Sequence, residues 1–152
     1  MQTNNDHAVK VLNSLIETTL DSANGYRDAA DAAETPQYKT MFAERCESRM
    51  ALSRRLQEEV RSFGGEPEQS QSLLGKAHNK FAELRGKLMP SDSGDKAVID
   101  EVERGEDMIK AKFEKAMDDA ELPSEAQLLV STAYGEIKAE HDHISRLKHQ
   151  QH

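Results

Sequence analysis

The chain has no tryptophan and, in 152 residues, only one cysteine and four prolines. The lone Cys46 rules out an internal disulfide framework and a cysteine-built zinc site, and it fits a reducing compartment. Aromatic residues make up only 5% of the chain, too few to furnish the half-buried faces of a sheet. No apolar run approaches the roughly 20 residues that span a bilayer, and the opening MQTNNDHAVK lacks the apolar stretch of a secretion signal. A cytoplasmic location with no membrane partner is therefore expected. Cationic excess is missing as well: 20 Lys and Arg stand against 28 Asp and Glu, a formal charge of -8. The basic residues are interleaved with acids, which argues against nucleic acid as a partner.

What remains is a chain 36% hydrophobic and 32% charged, rich in Ala, Glu, Lys and Leu, the balance of long amphipathic helices. Its length suits a single domain, 1–152, with one core. A first helix is expected from about Asp6 to Ala33, with Leu12, Leu15, Ile16, Ala23, Tyr26 and Ala30 at helical spacing and Asn4, Asn5 and Asp6 as candidate caps. Gly25 within it suggests close packing. Thr35-Pro36 supplies a cap and a proline at the first helical position, so a second helix begins at once, antiparallel to the first. It carries Tyr38, Met41, Phe42, Leu52, Leu56 and Phe63, and it stops at Gly64-Gly65.

After the loop GGEPEQSQS comes a connector, SLLGKAHNKFAELRGKLM, with a helical stripe of its own. A third helix is expected from about Asp95 to Ala120, on Val98, Val102, Ile109, Phe113 and Ala116. A fourth opens at LPSE, Leu122 to Glu125, and runs to the tail KHQQH. Helices of this length reach about 40 Å. A connector with its own helix can cross that distance, which lets the second and third helices run parallel.

Four segments in order, LNSLIETTLDSANGYRDAA, FAERCESR, EVERGED and EIKAEHDHI, with GGEPEQS between the second and third, resemble an uncharacterised bacterial family of ferritin-like domains, itself a domain of unknown function. The resemblance implies an all-α, ferritin-like four-helix bundle with a long crossover holding an additional short helix. It also implies an association with stress response, and it brings no established activity.

Ferritin-like di-iron proteins direct a Glu from each of two helices and a Glu-x-x-His pair from each of the other two into the core. At roughly 100° per residue, Glu17 and Asp21 point away from the first helix's apolar stripe, and Glu44 lies roughly 105° off that of the second. Arg45 is nearly central there and Arg49 close to it. Glu106 and Glu140 turn inward, with His141 beside Glu140 and His143 marginal. Counted from the helix ends, Arg45, Glu106 and Glu140 share one depth under crossover connectivity. The expectation is a buried polar layer of Arg45, Arg49, Glu106, Glu140 and His141, facing Thr19 and Ala23, in a non-catalytic protein with no cofactor. An arginine held between two carboxylates repels a metal. The alternative is a non-haem iron or di-iron oxidase type of site using Glu44, Glu106, Glu140, His141 and His143. Burial of Arg45 against Glu140 favours the first, and Glu44 turned inward favours the second.

Ala43, Cys46 and Met50 form a small apolar stripe on the back of the second helix, the expected face of a homodimer. His78 in the connector loosely resembles the exposed histidine of a phosphotransfer bundle, a third and weaker reading.

Overall fold

The computed structural model describes residues 2–69 and 94–150, with side chains for 5–69 and 95–150. Four helices account for nearly all of these residues: α1 (Gln2–Ala32), α2 (Pro36–Ser62), α3 (Gly94–Met117) and α4 (Ser124–Gln150). The expected connector helix and His78 lie outside the described residues. Helix α1 begins earlier than its candidate caps, so Asn4, Asn5 and Asp6 are helical residues rather than caps. Ala8 is fully buried and His7 bonds Asp119. With its second turn anchored in this way, a first turn adds one bond per residue without a nucleation cost. At Gly25 a methyl group would meet nothing within 4 Å, so close packing is not the reason for that glycine.

The relative directions of the first three helices follow from two polar ties. At one end, Asp95 in the first turn of α3 is 7% exposed. Its Oδ1 accepts the Glu34 N–H at 2.7 Å and its Oδ2 the Thr35 N–H at 3.0 Å, and the Thr35 hydroxyl donates to Oδ2 as well. Thr35 is the N-cap of α2, yet its hydroxyl makes no bond to its own helix. The carboxylate of α3 does that electrostatic work at the positive end of α2. Helices α2 and α3 therefore start at the same end and run parallel. At the other end, His7 near the start of α1 lies 2.7 Å from Asp119, just past α3, so α1 and α3 are antiparallel. This is the single-crossover arrangement.

Helix α2 stops as expected. Gly64 takes φ +81°, Gly64 N–H donates to Arg61 O at 2.9 Å, and Gly65 N–H donates to Val60 O at 3.0 Å, which satisfies carbonyls the helix end would leave open. A β-carbon on Gly65 would fall 2.6 Å from a Val9 methyl, so this glycine lets the chain lie against α1. Asn13 then accepts the Glu68 N–H at 2.8 Å and donates to Glu66 O at 3.0 Å, pinning the first residues of the crossover.

The apolar core falls into two parts. One holds Leu12, Ile16, Leu56, Phe113 and Ile137. The other holds Tyr26, Phe42, Ile99 and Ile144. Buried Arg49 and Glu106 sit at the level between them.

Asp95→Ala removes the acceptor of two backbone N–H groups at a helix start. It should lower unfolding stability by about 1–3 kcal/mol, read by urea denaturation, whereas a loss below about 0.5 kcal/mol would show that the tie does not hold the α2 and α3 starts together.

Candidate functional site

The polar layer is built around Arg49, the largest fully buried side chain among the described residues. Arg49 and Glu106 are each 1% exposed. They form a two-pronged pair, with Nη1 donating to Glu106 Oε1 at 2.7 Å and Nη2 to Oε2 at 3.0 Å. Nη1 also donates to Ser22 Oγ at 2.6 Å, and Nη2 to Glu140 Oε1 at 2.7 Å. Four of the five guanidinium N–H groups thus have acceptors. Burial alone would lower the pKa of Arg49, but Glu106 and Glu140 outweigh it and raise the pKa, so the side chain stays charged.

Arg45 lies one turn nearer the N-terminus of α2 and at the rim, its side chain 12% exposed and its Nε 3.4 Å from Glu140 Oε2. Its Nη1 donates to the Tyr26 hydroxyl at 3.3 Å. Arg45 and Arg49 lie 5.6 and 5.4 Å from the centre of the Tyr26 ring, within cation–π range. Burial, and then Glu106, push the Tyr26 phenol up, so it stays protonated. Two arginines and two glutamates leave the layer with no net charge.

The structure brings Arg45, Arg49, Glu106 and Glu140 together. The centre of the layer is Arg49, with Arg45 at its edge. The two differ by 40° in facing at 100° per residue, and the diagonal partner Glu106 on α3 decides between them. Ser22 and Tyr26 are members that sequence reasoning left out. Tyr26 was legible only as an apolar stripe position, and Ser22 carried no signal.

His141 is not in the layer. Its Nε2 lies 2.5 Å from Asp107 Oδ1 and its Nδ1 3.2 Å from Asp142 Oδ1. The helix facing was inward, but an exposed acid on α3 offered a stronger partner than the already neutral centre. His143 approaches the layer instead, with Nδ1 3.4 Å from Arg45 Nη2. An arginine can only donate, so a bond here requires Nδ1 of a neutral His143 as acceptor. Glu44 is exposed. The alternative set Glu44, Glu106, Glu140, His141 and His143 therefore does not converge. Among the described residues, the His, Cys, Asp and Glu group close enough to share an ion is His7, Asp119 and Glu121, at the far end of the bundle.

The apolar stripe of α2 also differs from expectation. Ala43 is exposed, but Cys46 and Met50 are half-buried and pack against the two core clusters, because the broad face of α2 is wedged between its neighbours. Burial pushes the Cys46 thiol up, with Arg27 opposing, the reverse of what an activated thiolate needs.

Arg49→Met would leave Glu106 buried without a cation and should cost about 3–5 kcal/mol. Arg49→Lys should recover only part of that, since an ammonium lacks the fork. Arg45→Met should cost about 1–2 kcal/mol, because Glu140 keeps its bond to Arg49. Equal losses at positions 45 and 49 in urea unfolding would refute this ranking.

The histidines split by pH. Burial pulls His141 down, but hydrogen bonds to Asp107 and Asp142 prevail and hold it above its ordinary 6.5. Burial, then Arg45 and Arg146, hold His143 below it. His141 therefore contributes stability that is present below pH 6.5 and lost as pH rises through its folded pKa. His143 costs stability as pH falls below 6.5, because the unfolded chain takes up that proton more readily. NMR titration should show His143 titrating below His141, and Asp107→Asn should narrow the gap. The reverse order would contradict the geometry.

Comparison with known proteins fits this architecture. No curated protein matches the chain. Among solved structures, a mutant of the Dps1 protein of Mycobacterium smegmatis superposes with a TM-score of 0.78 over 97% of this chain and 99% of that one. At 10% identity the likeness shows the fold, a ferritin-like four-helix bundle, and nothing of activity. A family model described as a domain of unknown function (DUF2383) matches residues 7–119. That match spans well over half the chain, and the protein belongs to this family of domains of unknown function.

Proposed function

We propose that this is a non-catalytic, stress-associated cytoplasmic bundle protein in which an arginine–carboxylate layer takes the position that a di-metal centre would need. The observation that carries the reading is the state of the carboxylates. Both oxygens of Glu106 are taken by Arg49, and those of Glu140 are shared between Arg49 and Arg45. Two hard cations require bridging carboxylates free to turn toward them. Here such an ion would have to displace a buried guanidinium held by both acids, and it would be repelled by the second arginine. No helix among the described residues is long and apolar enough to cross a membrane, in keeping with a cytoplasmic role. The chain's work then falls to its outer faces. Pairing of two copies along α2, around exposed Ala43 with half-buried Cys46 and Met50 at its margin, is part of the proposal.

Anaerobic titration with ferrous iron followed by oxygen tests it. The expected result is no oxygen-dependent absorbance change and no bound iron whose retention depends on Glu140. About two iron per chain, lost in Glu140→Gln, would overturn the structural reading in favour of an iron-oxidising one.

A further inference from the structure

The chain is strongly acidic, yet one cleft is not. Between the N-terminal half of α1 and the C-terminal half of α3 lies an open cavity of about 350 Å³, lined on its upper edges by Lys10, Lys112 and Lys115. All three are exposed. Among the described residues, Lys39 donates to helix carbonyls, while Lys110, Lys138 and Lys148 each lie within 4 Å of a carboxylate. Lys10, Lys112 and Lys115 make no such bond, and they share one cleft.

The acid in the lining, Asp119, is already engaged. Asp119 Oδ2 is 2.7 Å from His7 Nε2, and its Oδ1 accepts the Glu121 N–H at 2.9 Å. The side chain of Gln127 donates to the Asp119 carbonyl at 3.0 Å, fixing the residue further. Three lysines therefore line a cavity whose one lining carboxylate is committed elsewhere. Below them the floor is apolar: Leu15 and Ala116 are buried and Val11 half-buried, while Ser14 offers a hydroxyl at the side.

The volume suits a small molecule. A long polyanion is disfavoured, because beyond the cleft it would run along faces carrying most of a net charge of -8. We propose that this cleft binds a small phosphomonoester, its phosphate oxygens met by Lys10, Lys112 and Lys115 and its apolar body lying on Val11, Leu15 and Ala116. The site is independent of the central layer. It lies at the His7–Asp119 end of the bundle and uses none of the layer's residues.

The probe is phenyl phosphate, titrated into the full-length chain at low salt and followed by calorimetry and amide chemical shifts. The expected result is one saturable site per chain, with shifts centred on His7, Val11 and Ala116. Lys10→Gln with Lys115→Gln should weaken it about tenfold, while Lys96→Gln, an exposed lysine away from the cleft, should leave it within about twofold. Inorganic phosphate should bind more weakly, since it makes no use of the floor. Absence of saturation, or an equal loss in Lys96→Gln, would overturn the site. Equal affinity for inorganic phosphate would overturn the ester assignment. Displacement of phenyl phosphate by a short single-stranded oligonucleotide at lower concentration would overturn it in favour of a polyanion.

Discussion

A guanidinium buried at the centre of a helical bundle constrains everything around it. Arg49 cannot lose its proton and cannot reach water, so the fold must supply acceptors at fixed positions. Glu106 from α3 supplies both oxygens, Glu140 from α4 another, and Ser22 from α1 a hydroxyl. One side chain thus makes a polar contact with each of the other three helices. Sliding α3 by one turn, about 5.4 Å, would strand a buried charge, and sliding α1 or α4 would take an acceptor from it. An apolar core of interchangeable Leu, Ile and Ala tolerates such slips far better, and here the two apolar clusters on either side of the layer are registered by it. A buried polar group that fixes register is the best attested use of this kind of interaction.

The ends of the bundle are set by weaker ties of the same kind. Asp95 joins the start of α3 to the turn before α2, and the His7–Asp119 pair joins the start of α1 to the end of α3. Each tie connects elements far apart in sequence, and together with the short turns they impose the crossover connectivity. The layer falls at one depth only because α2 and α3 run parallel. Connectivity and layer are therefore one constraint seen at two levels.

Much of the fold was legible in the sequence, because the signals are local. Helical spacing of apolar residues, Pro36 after Thr35 and the Gly64-Gly65 stop each act within a few residues, and the structure places helix boundaries there. The layer was legible in part. Arg45, Arg49, Glu106 and Glu140 could be found because charges on an apolar stripe are conspicuous, and depth counting put acids and arginine together. Which arginine holds the centre was not legible, since facing from one helix says nothing of the diagonal partner across the core. His141 was misplaced for a related reason: Asp107 and Asp142 compete for it, and that competition is settled only by tertiary geometry. Asp95 reads as an ordinary first-turn acid, and its cross-helix bonds have no sequence signature. The half-burial of Cys46 and Met50 similarly reflects how wide the contact of α2 is, which periodicity alone does not measure.

If the layer is a self-compensating structural unit, its cost lies in leaving it incomplete rather than in replacing it. The most direct measurement compares urea unfolding of Arg49→Met with that of the double variant Arg49→Met, Glu106→Gln, which leaves the Arg45–Glu140 pair in place. Removing the buried Glu106 charge together with its cation should recover about half or more of the stability lost in the single variant. A double variant as unstable as the single or worse would mean that Glu106 does something other than balance Arg49, and would contradict a purely structural role for the centre of the bundle.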